Sequence, residues 1–324
     1  MDLHNIQRWT LSRFRLPLTR PLTTCSSIAH REGLIVELET NDGHVGFGEA
    51  SPLPGLHRIT LETIQDQLVH ALRQRDNSGL SPLGRFAIES ALWRPPVKPI
   101  DVPINGLITG TNPIKQALNL RSLGYKAVKL KVGLRSIGDD ISMVGAVSKT
   151  LGDSIALRLD ANQAWSLEQA TAFANGIDIN RIDYLEEPLT NPGDLPDLVS
   201  QTSIRVAIDE SVTYPLEPTA GVVAVVIKPT RWGVMTSLKL IENANLLDCT
   251  PVISSTFESG VGQYTLMALA ATIGPNLVPQ GLGCGQWLET DTINPAFPID
   301  QAVLRWPLPH FGISTDHTVV CGHG

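Results

Sequence analysis

The chain has 324 residues, 42% of them apolar, enough for one large core and a smaller companion domain. A net charge of −7 and an isoelectric point near 5.6 speak against nucleic acid or an anionic membrane as the main partner. No apolar run reaches the roughly 18 residues of a membrane span, Met1 to Ile6 opens no signal-peptide apolar region, and the four cysteines (Cys25, Cys249, Cys284, Cys321) lack C-x-x-C spacing, so neither a zinc site nor a disulfide framework is predicted and a cytoplasmic setting is expected.

Residues 7–18 and 33–49 carry the alternation of strands, and Asn41-Asp42-Gly43 is a hairpin turn signal within the second. The stretches from Pro21 to Ser27 and from Glu49 to Gly55 read as loops. Helical patterns follow at 60–74 and 82–93, the second with Ser81 as N-cap and Pro82 at its first position. Strands followed by helices predict a small α+β domain, with Pro95, Pro96 and Pro99 marking its exit.

From about residue 100 short apolar runs alternate with helical segments. The runs are 102–108, 126–132, 155–160, 182–186, 204–209, 222–228, 250–255 and 277–281; helices fit at 112–123, 139–151, 166–176 and 233–246. Eight such units predict a (β/α)8-type barrel over 98–299, with an N-terminal α+β capping domain over 1–97 to which the tail, 300–324, returns. A doubly wound sheet would favour a Gly-rich phosphate loop after its first strand, which is missing.

In the strand 126–132, Ala127, Lys129 and Lys131 lie on one side and Val128, Leu130 and Val132 on the other. In a closed barrel the lysines point inward, where ammonium groups need compensation; at an edge they would be solvated. Three later runs end in acids: Asp160; Glu186 with Glu187; and Asp209 with Glu210. The next ends in Lys228. Asp160, Glu186, Asp209 and Lys228 follow one another at intervals of 26, 23 and 19 residues, about one β/α unit each, which sets them at one height at the C-terminal mouth. Singly, Asp160 or Asp209 could be a helix N-cap. Together, three converging carboxylates repel unless a cation lies among them, and hard oxygen donors without thiol or imidazole suit Mg²⁺. No histidine lies between His70 and His310, so chemistry at this mouth proceeds without an imidazole. A lysine near a metal and a second cation has its neutral form favoured, and a base beside a Lewis acid fits proton abstraction next to a carboxylate.

These elements, Lys129-x-Lys131, Asp160-Ala161-Asn162, Glu186-Glu187-Pro188, Asp209-Glu210-Ser211 and Ile227-Lys228-Pro229, resemble the muconate-lactonizing subgroup of the enolase superfamily across nearly the whole chain. Enzymes of that superfamily pair a lysine or histidine base with Mg²⁺. The resemblance implies Asp160, Glu186 and Asp209 as ligands of Mg²⁺, with Mn²⁺ as a substitute. It implies Lys131 as the acid/base, Lys228 as the group stabilising an enediolate from the opposite face, and Lys129 as a neighbour tuning Lys131. Within the subgroup the nearest likeness is to the o-succinylbenzoate-forming dehydratases of menaquinone and phylloquinone biosynthesis, on Leu157 to Asn162, Ile227 to Thr230, Ser254 to Gly262 and Gly281-Leu282-Gly283. That likeness implies a small carboxylate substrate, with Ser254 or Ser255 and the backbone at Gly281 meeting its succinyl side chain. It also implies capping loops at Thr23 to Ser27 and Ser51 to Pro54. Arg158, two residues before Asp160, points inward either to a buried ion pair or to substrate. N-succinylamino-acid racemases share much of the pattern. Dipeptide epimerases resemble one another in an Asp-x-Asp where this chain has Gly281-Leu282-Gly283.

Overall fold

A computed structural model describes residues 2–23, 27–96, 100–275, 277–306, 312–314 and 316–324. Strand β1 (Ile6–Thr23) pairs antiparallel with β2 (Ser27–Thr40), which turns through Asn41-Asp42-Gly43 into β3 (Val45–Ala50). Gly43 takes the positive φ that such a turn needs. β1 runs on to Thr23, past the expected loop start at Pro21. Beyond Phe14 its only strand-length neighbour among the described residues is β2; Leu18 makes one bridge to Leu288, where Pro17 takes part through its carbonyl, accepting from the Glu289 amide at 3.0 Å. Thr24, Cys25 and Ser26, expected in a capping loop, lie outside the described residues, as do Pro99 and His310.

Helices α1 (Leu61–Gln74) and α2 (Pro82–Leu92) cover one face of this sheet with Ile64, Leu68, Leu72 and Ala87 against Leu11, Val36 and Leu38. Ser81 caps α2 by accepting from the Gly84 amide at 3.3 Å. β3 lies almost on the α2 backbone: a Cβ at Gly48 would stand 1.8 Å from the Ala87 carbonyl oxygen. The other face, with Phe14, Leu16 and Ile35, packs on the barrel through Val261 and Ile293.

The second body contains β4 (Val102–Pro103), β5 (Gly106–Ile108), α3 (Pro113–Ser122), β6 (Ala127–Lys131), α4 (Ile137–Leu151), β7 (Ala156–Asp160), α5 (Leu167–Asn175) and β8 (Ile182–Glu186). It continues with α6 (Leu195–Thr202), β9 (Val206–Ile208), β10 (Val222–Ile227), α7 (Val234–Leu246), β11 (Thr250–Ile253) and α8 (Gly260–Ala271). Strands β5 to β11 form one parallel sheet in sequence order. Gln280 and Gly281 close it as a minimal eighth strand, bridging Ile104 on one side and Ser254 on the other. Their ladder is explicit: the Gly281 amide donates to the Ile253 carbonyl, and the Asn105 amide to the Gln280 carbonyl, each at 2.9 Å.

The structure departs from the expected barrel in two places. The run 102–108 divides, β4 leaving to pair with β14 of a small antiparallel sheet, β13 (Ile299–Asp300), β14 (Val303–Leu304) and β4. Between β9 and β10 no described residue is helical; Pro215 and Pro218 remove the amides a helix would use there. The buried residues of β6 to β11 that face the helices, such as Val128, Leu130, Leu157, Leu159, Leu185 and Val225, form the main core. At the tail, β12 (Ile293–Asn294) pairs with β15 (Gly312–Ile313), and β16 (Thr318–His323) joins the first sheet beside β1. No described helix is long and apolar enough to cross a membrane.

Candidate active site

Register places the charged residues. Lys131 on β6 stands beside Asp160 on β7, which stands beside Glu186 on β8; one layer deeper the same ladders align Lys129, Arg158 and Tyr184. Asp209 follows β9 and Lys228 follows β10. Strand order therefore puts the three acids on neighbouring strands, with the β6 lysines on one flank and Lys228 on the other. Immediately beyond the acids the chain turns away: Asn162, Gln163 and Glu187 all take positive φ, which leaves Asp160 and Glu186 at the rim.

Ion pairs knit the ring. Lys129 Nζ lies 2.6 Å from Asp160 Oδ2 and 2.7 Å from Glu186 Oε1. Lys131 Nζ lies 2.6 Å from the same Asp160 oxygen and also bonds Asn162 Oδ1. Lys228 bonds Asp209 Oδ2, and Asn162 Nδ2 donates to Glu210 Oε1 at 3.1 Å. Glu187 is different in kind. Its carboxylate accepts from the Asp209 amide (2.8 Å), the Ser211 hydroxyl (2.9 Å) and Gln163 Nε2 (3.1 Å), so it braces the loops behind the rim and has no oxygen free for a ligand.

Burial opposes the charge of Lys129, but Asp160, Glu186 and Asp209 outweigh it and hold the ammonium well above the ordinary lysine range. Lys228 is raised in the same way by Asp209 and Glu210. For both, the acids nearest the ammonium group set the direction. Burial also works against ionisation of Asp160, yet the two β6 lysines beside it bring its pKa down. Glu186 goes the other way: burial first, then Asp160 and Asp209, push it up in spite of Lys129. The acids are thus too crowded for the lysines to satisfy them all.

The oxygens left over are informative. Glu186 Oε2, Asp209 Oδ1 and Glu210 Oε2 are buried without a hydrogen-bond partner. Among the described residues no three acids already stand at metal-ligand spacing, since lysine ammonium groups hold them instead. The donor set nevertheless suits a hard divalent cation: all oxygen, three oxygens accepting no hydrogen bond, no sulfur or imidazole between them. Counting Asp160, Glu186, Asp209 and Glu210 against Lys129, Lys131, Lys228 and Arg231, whose Nη1 lies 3.7 Å from Asp209 Oδ1, the ring is balanced when all are ionised. A divalent ion would make it positive, as a carboxylate substrate requires.

The ring opens into a cavity of about 440 Å³. Leu53 and Leu56 of the loop after β3 lean over it, against Phe257 and Trp287 from the barrel side. Phe257 meets Trp287 edge-on at 5.4 Å, and Arg20 lies 3.6 Å over the Trp287 ring. Ser254 and Gly281 both line the wall, where a Cβ on Gly281 would stand 2.9 Å from Ser254 Oγ. Ser255 also reaches the cavity, but its hydroxyl donates to Glu258 at 2.6 Å. Ser51 is buried beneath the lid, donating to Glu49.

One expected substrate contact is corrected. Arg158 is buried below the acid layer, its Nε 2.9 Å from Asp183 and its Nη1 2.6 Å from the Pro279 carbonyl, and it does not line the cavity. Of its two readings the ion pair is the one observed; the guanidinium has partners of its own in the barrel floor. Sequence reasoning missed Tyr184, Tyr125, Gln286, Trp287 and Arg20, all of which line the cavity. Tyr184 was readable, two residues before Glu186 on the same inward face. The others come from loops, strand ends and a turn that carry no periodic signal.

The profile of the enolase C-terminal domain-like family matches residues 114–317, and that of the MenC N-terminal domain matches residues 6–90. The o-succinylbenzoate synthase of Vibrio cholerae serotype O1 (strain ATCC 39315) is 34% identical over 320 residues, covering 90% of this chain and 94% of that one. The o-succinylbenzoate synthase of Photorhabdus laumondii is 32% identical over 315 residues, covering 92% and 93%. Among solved structures, an enolase-superfamily member from Roseovarius nubinhibens, complexed with magnesium, is similar at a TM-score of 0.85 and 18% identity, over 98% of this chain and 99% of that one.

Proposed function

The chain belongs to the o-succinylbenzoate synthase family of the enolase superfamily, and from that premise we propose a reaction for the ring of charges just described. It is a hydro-lyase that converts 2-succinyl-6-hydroxy-2,4-cyclohexadiene-1-carboxylate to o-succinylbenzoate, a step of menaquinone or phylloquinone biosynthesis. The observation that carries the reading is the placement of lysines on both flanks of three in-line acids that line one cavity, with Glu186 Oε2 and Asp209 Oδ1 accepting no hydrogen bond.

Lys131 removes the proton from the ring carbon that bears the carboxylate. The electron pair left behind spreads into that carboxylate as an enediolate and then expels the hydroxyl from the adjacent carbon. The ring becomes aromatic, and the proton held by Lys131 leaves with the hydroxyl as water from the same face. Lys228 faces this charge from the opposite side, and Lys129, clasped between Asp160 and Glu186, keeps those acids in place. Asp160, Glu186 and Asp209 would hold Mg²⁺, or Mn²⁺ in its stead, which when bound supplies positive charge against the substrate carboxylate. Ser254 and the backbone at Gly281 form the wall we assign to the succinyl arm. We place the reaction in the cytoplasm; the described cysteines, Cys249, Cys284 and Cys321, are free thiols, as suits a reducing compartment.

The test is a spectroscopic dehydration assay on the cyclohexadiene substrate, with EDTA and with Mg²⁺ or Mn²⁺ restored, run beside N-succinyl amino acids as racemase substrates. Dehydration that EDTA stops and Mg²⁺ restores is expected; racemisation without dehydration would replace this reading with the racemase one. Lys131→Ala should lower turnover by about 10²–10⁴-fold while leaving the fold intact. Wild-type turnover in that variant would remove Lys131 from the mechanism.

A further inference from the structure

Arg31, on β2, is only 1% exposed, yet among the described residues no carboxylate lies within ion-pair distance of it. Its guanidinium instead donates to three backbone carbonyls: Nη2 to Ser51 at 2.8 Å, Nη1 to Pro52 at 3.0 Å and Nε to Phe257 at 3.0 Å. The first two belong to the capping loop that carries Leu53 and Leu56 over the cavity. The third belongs to the barrel loop whose phenyl ring forms the facing wall.

The nearby acids are otherwise engaged. Glu49 accepts from the Ser259 hydroxyl at 2.6 Å and the Gly262 amide at 2.9 Å, while Glu258 accepts from Ser255 and from the Thr256 amide. Burial disfavours the Arg31 charge, and these acids oppose that only in part, through space and without touching it. Phe257 sits at φ 66°, a region a bulky residue occupies only where its surroundings hold it. A buried cation aimed wholly at carbonyls from two loops has no catalytic reach and gains little as an ion pair; what it does is fix those loops relative to each other.

We propose that Arg31 is a positioning residue that ties the capping loop to the barrel and so sets the width of the substrate pocket. The role rests on the reading that this cavity receives the succinyl-bearing carboxylate. Only a planar fork with several N–H groups can serve three divergent acceptors, so lysine is not a conservative replacement.

The experiment compares wild type with Arg31→Lys and Arg31→Ala in steady-state dehydration and in amide hydrogen exchange followed by mass spectrometry. In both variants KM should rise by about 10-fold or more with kcat within a few-fold, since displaced walls weaken substrate placement more than the chemistry at Lys131. Exchange should quicken in 51–58 and 255–259 and stay unchanged in α1. Ethylguanidinium should lower the KM of Arg31→Ala toward wild type. A fall in kcat at unchanged KM, or exchange that quickens equally in α1 and the barrel strands, would overturn the proposal. Should the alanine variant fail to fold, the lysine variant decides by the same two measurements. Wild-type turnover tests the reaction itself; if wild type is inactive, the proposed reaction falls while the exchange comparison still decides whether Arg31 holds these walls.

Discussion

Three lysines share the ring, but their surroundings assign them different freedom. The Lys129 and Lys228 side chains are 17% and 14% exposed and each bonds a carboxylate that itself has little room to move; Lys131 is 30% exposed and partnered at the cavity edge by Asp160 and Asn162. The side chain with the widest access is the one that can reach a substrate proton. A second residue under the lid bears on pH. His57 Nδ1 accepts from the Leu53 amide at 2.9 Å, so the ring is neutral there, and burial together with Arg31, Arg231 and Lys228 brings its pKa down to about 4. The unfolded chain takes up that proton near pH 6.5, the folded one only near 4. Folding stability from this group is therefore complete above about pH 6.5 and declines as pH falls from there to about 4. His57→Asn keeps an acceptor for the Leu53 amide and removes the titration. Its thermal midpoint should vary less than that of wild type across this window; parallel curves for the two proteins would show that His57 does not titrate there.

At the scale of elements, what could be read from the sequence was what repeats. The alternation Val128, Leu130, Val132 against Lys129 and Lys131 names both faces of β6, because the apolar set must meet the helices and the other set must face the barrel axis. The acids were legible for the same reason, each ending a short apolar run one β/α unit after the last. Helix α8 was not, since nearly every side chain in it is buried and a helix apolar all round has no amphipathic period to detect. The eighth strand, expected over 277–281, shrinks to Gln280 and Gly281 at the end of that run. Arg158 shows where one-dimensional reasoning stops: its inward direction follows from its distance to Asp160, but its partner Asp183 lies on the next strand and emerges only once β7 and β8 are in register. The lid is least legible of all, assembled from Leu53, Leu56, Phe257 and Trp287, which meet only because the first sheet docks on the barrel.

For the whole molecule, the acids that converge on the ring come from consecutive strands, so whatever relieves their repulsion braces the barrel. Burial and the two flanking aspartates already push Glu186 toward its neutral form, which means its charge opposes folding while Lys129 alone compensates it. A divalent ion that binds the folded ring and has no such site in the unfolded chain stabilises by linkage, about 2.7 kcal/mol when Mg²⁺ stands at about 100 times its Kd. Calorimetry should therefore record a thermal midpoint that climbs with Mg²⁺ and drops back with EDTA. Glu186→Gln separates repulsion from ligation, because it deletes the charge and keeps the shape. In EDTA this variant should melt no lower than wild type, having lost a charge that the fold resists; in Mg²⁺ the order should invert, as wild type gains stability and the variant gains little. A variant that melts lower in EDTA and still climbs with Mg²⁺ as steeply as wild type would mean that Glu186 is a structural partner of Lys129 and that the ion binds elsewhere.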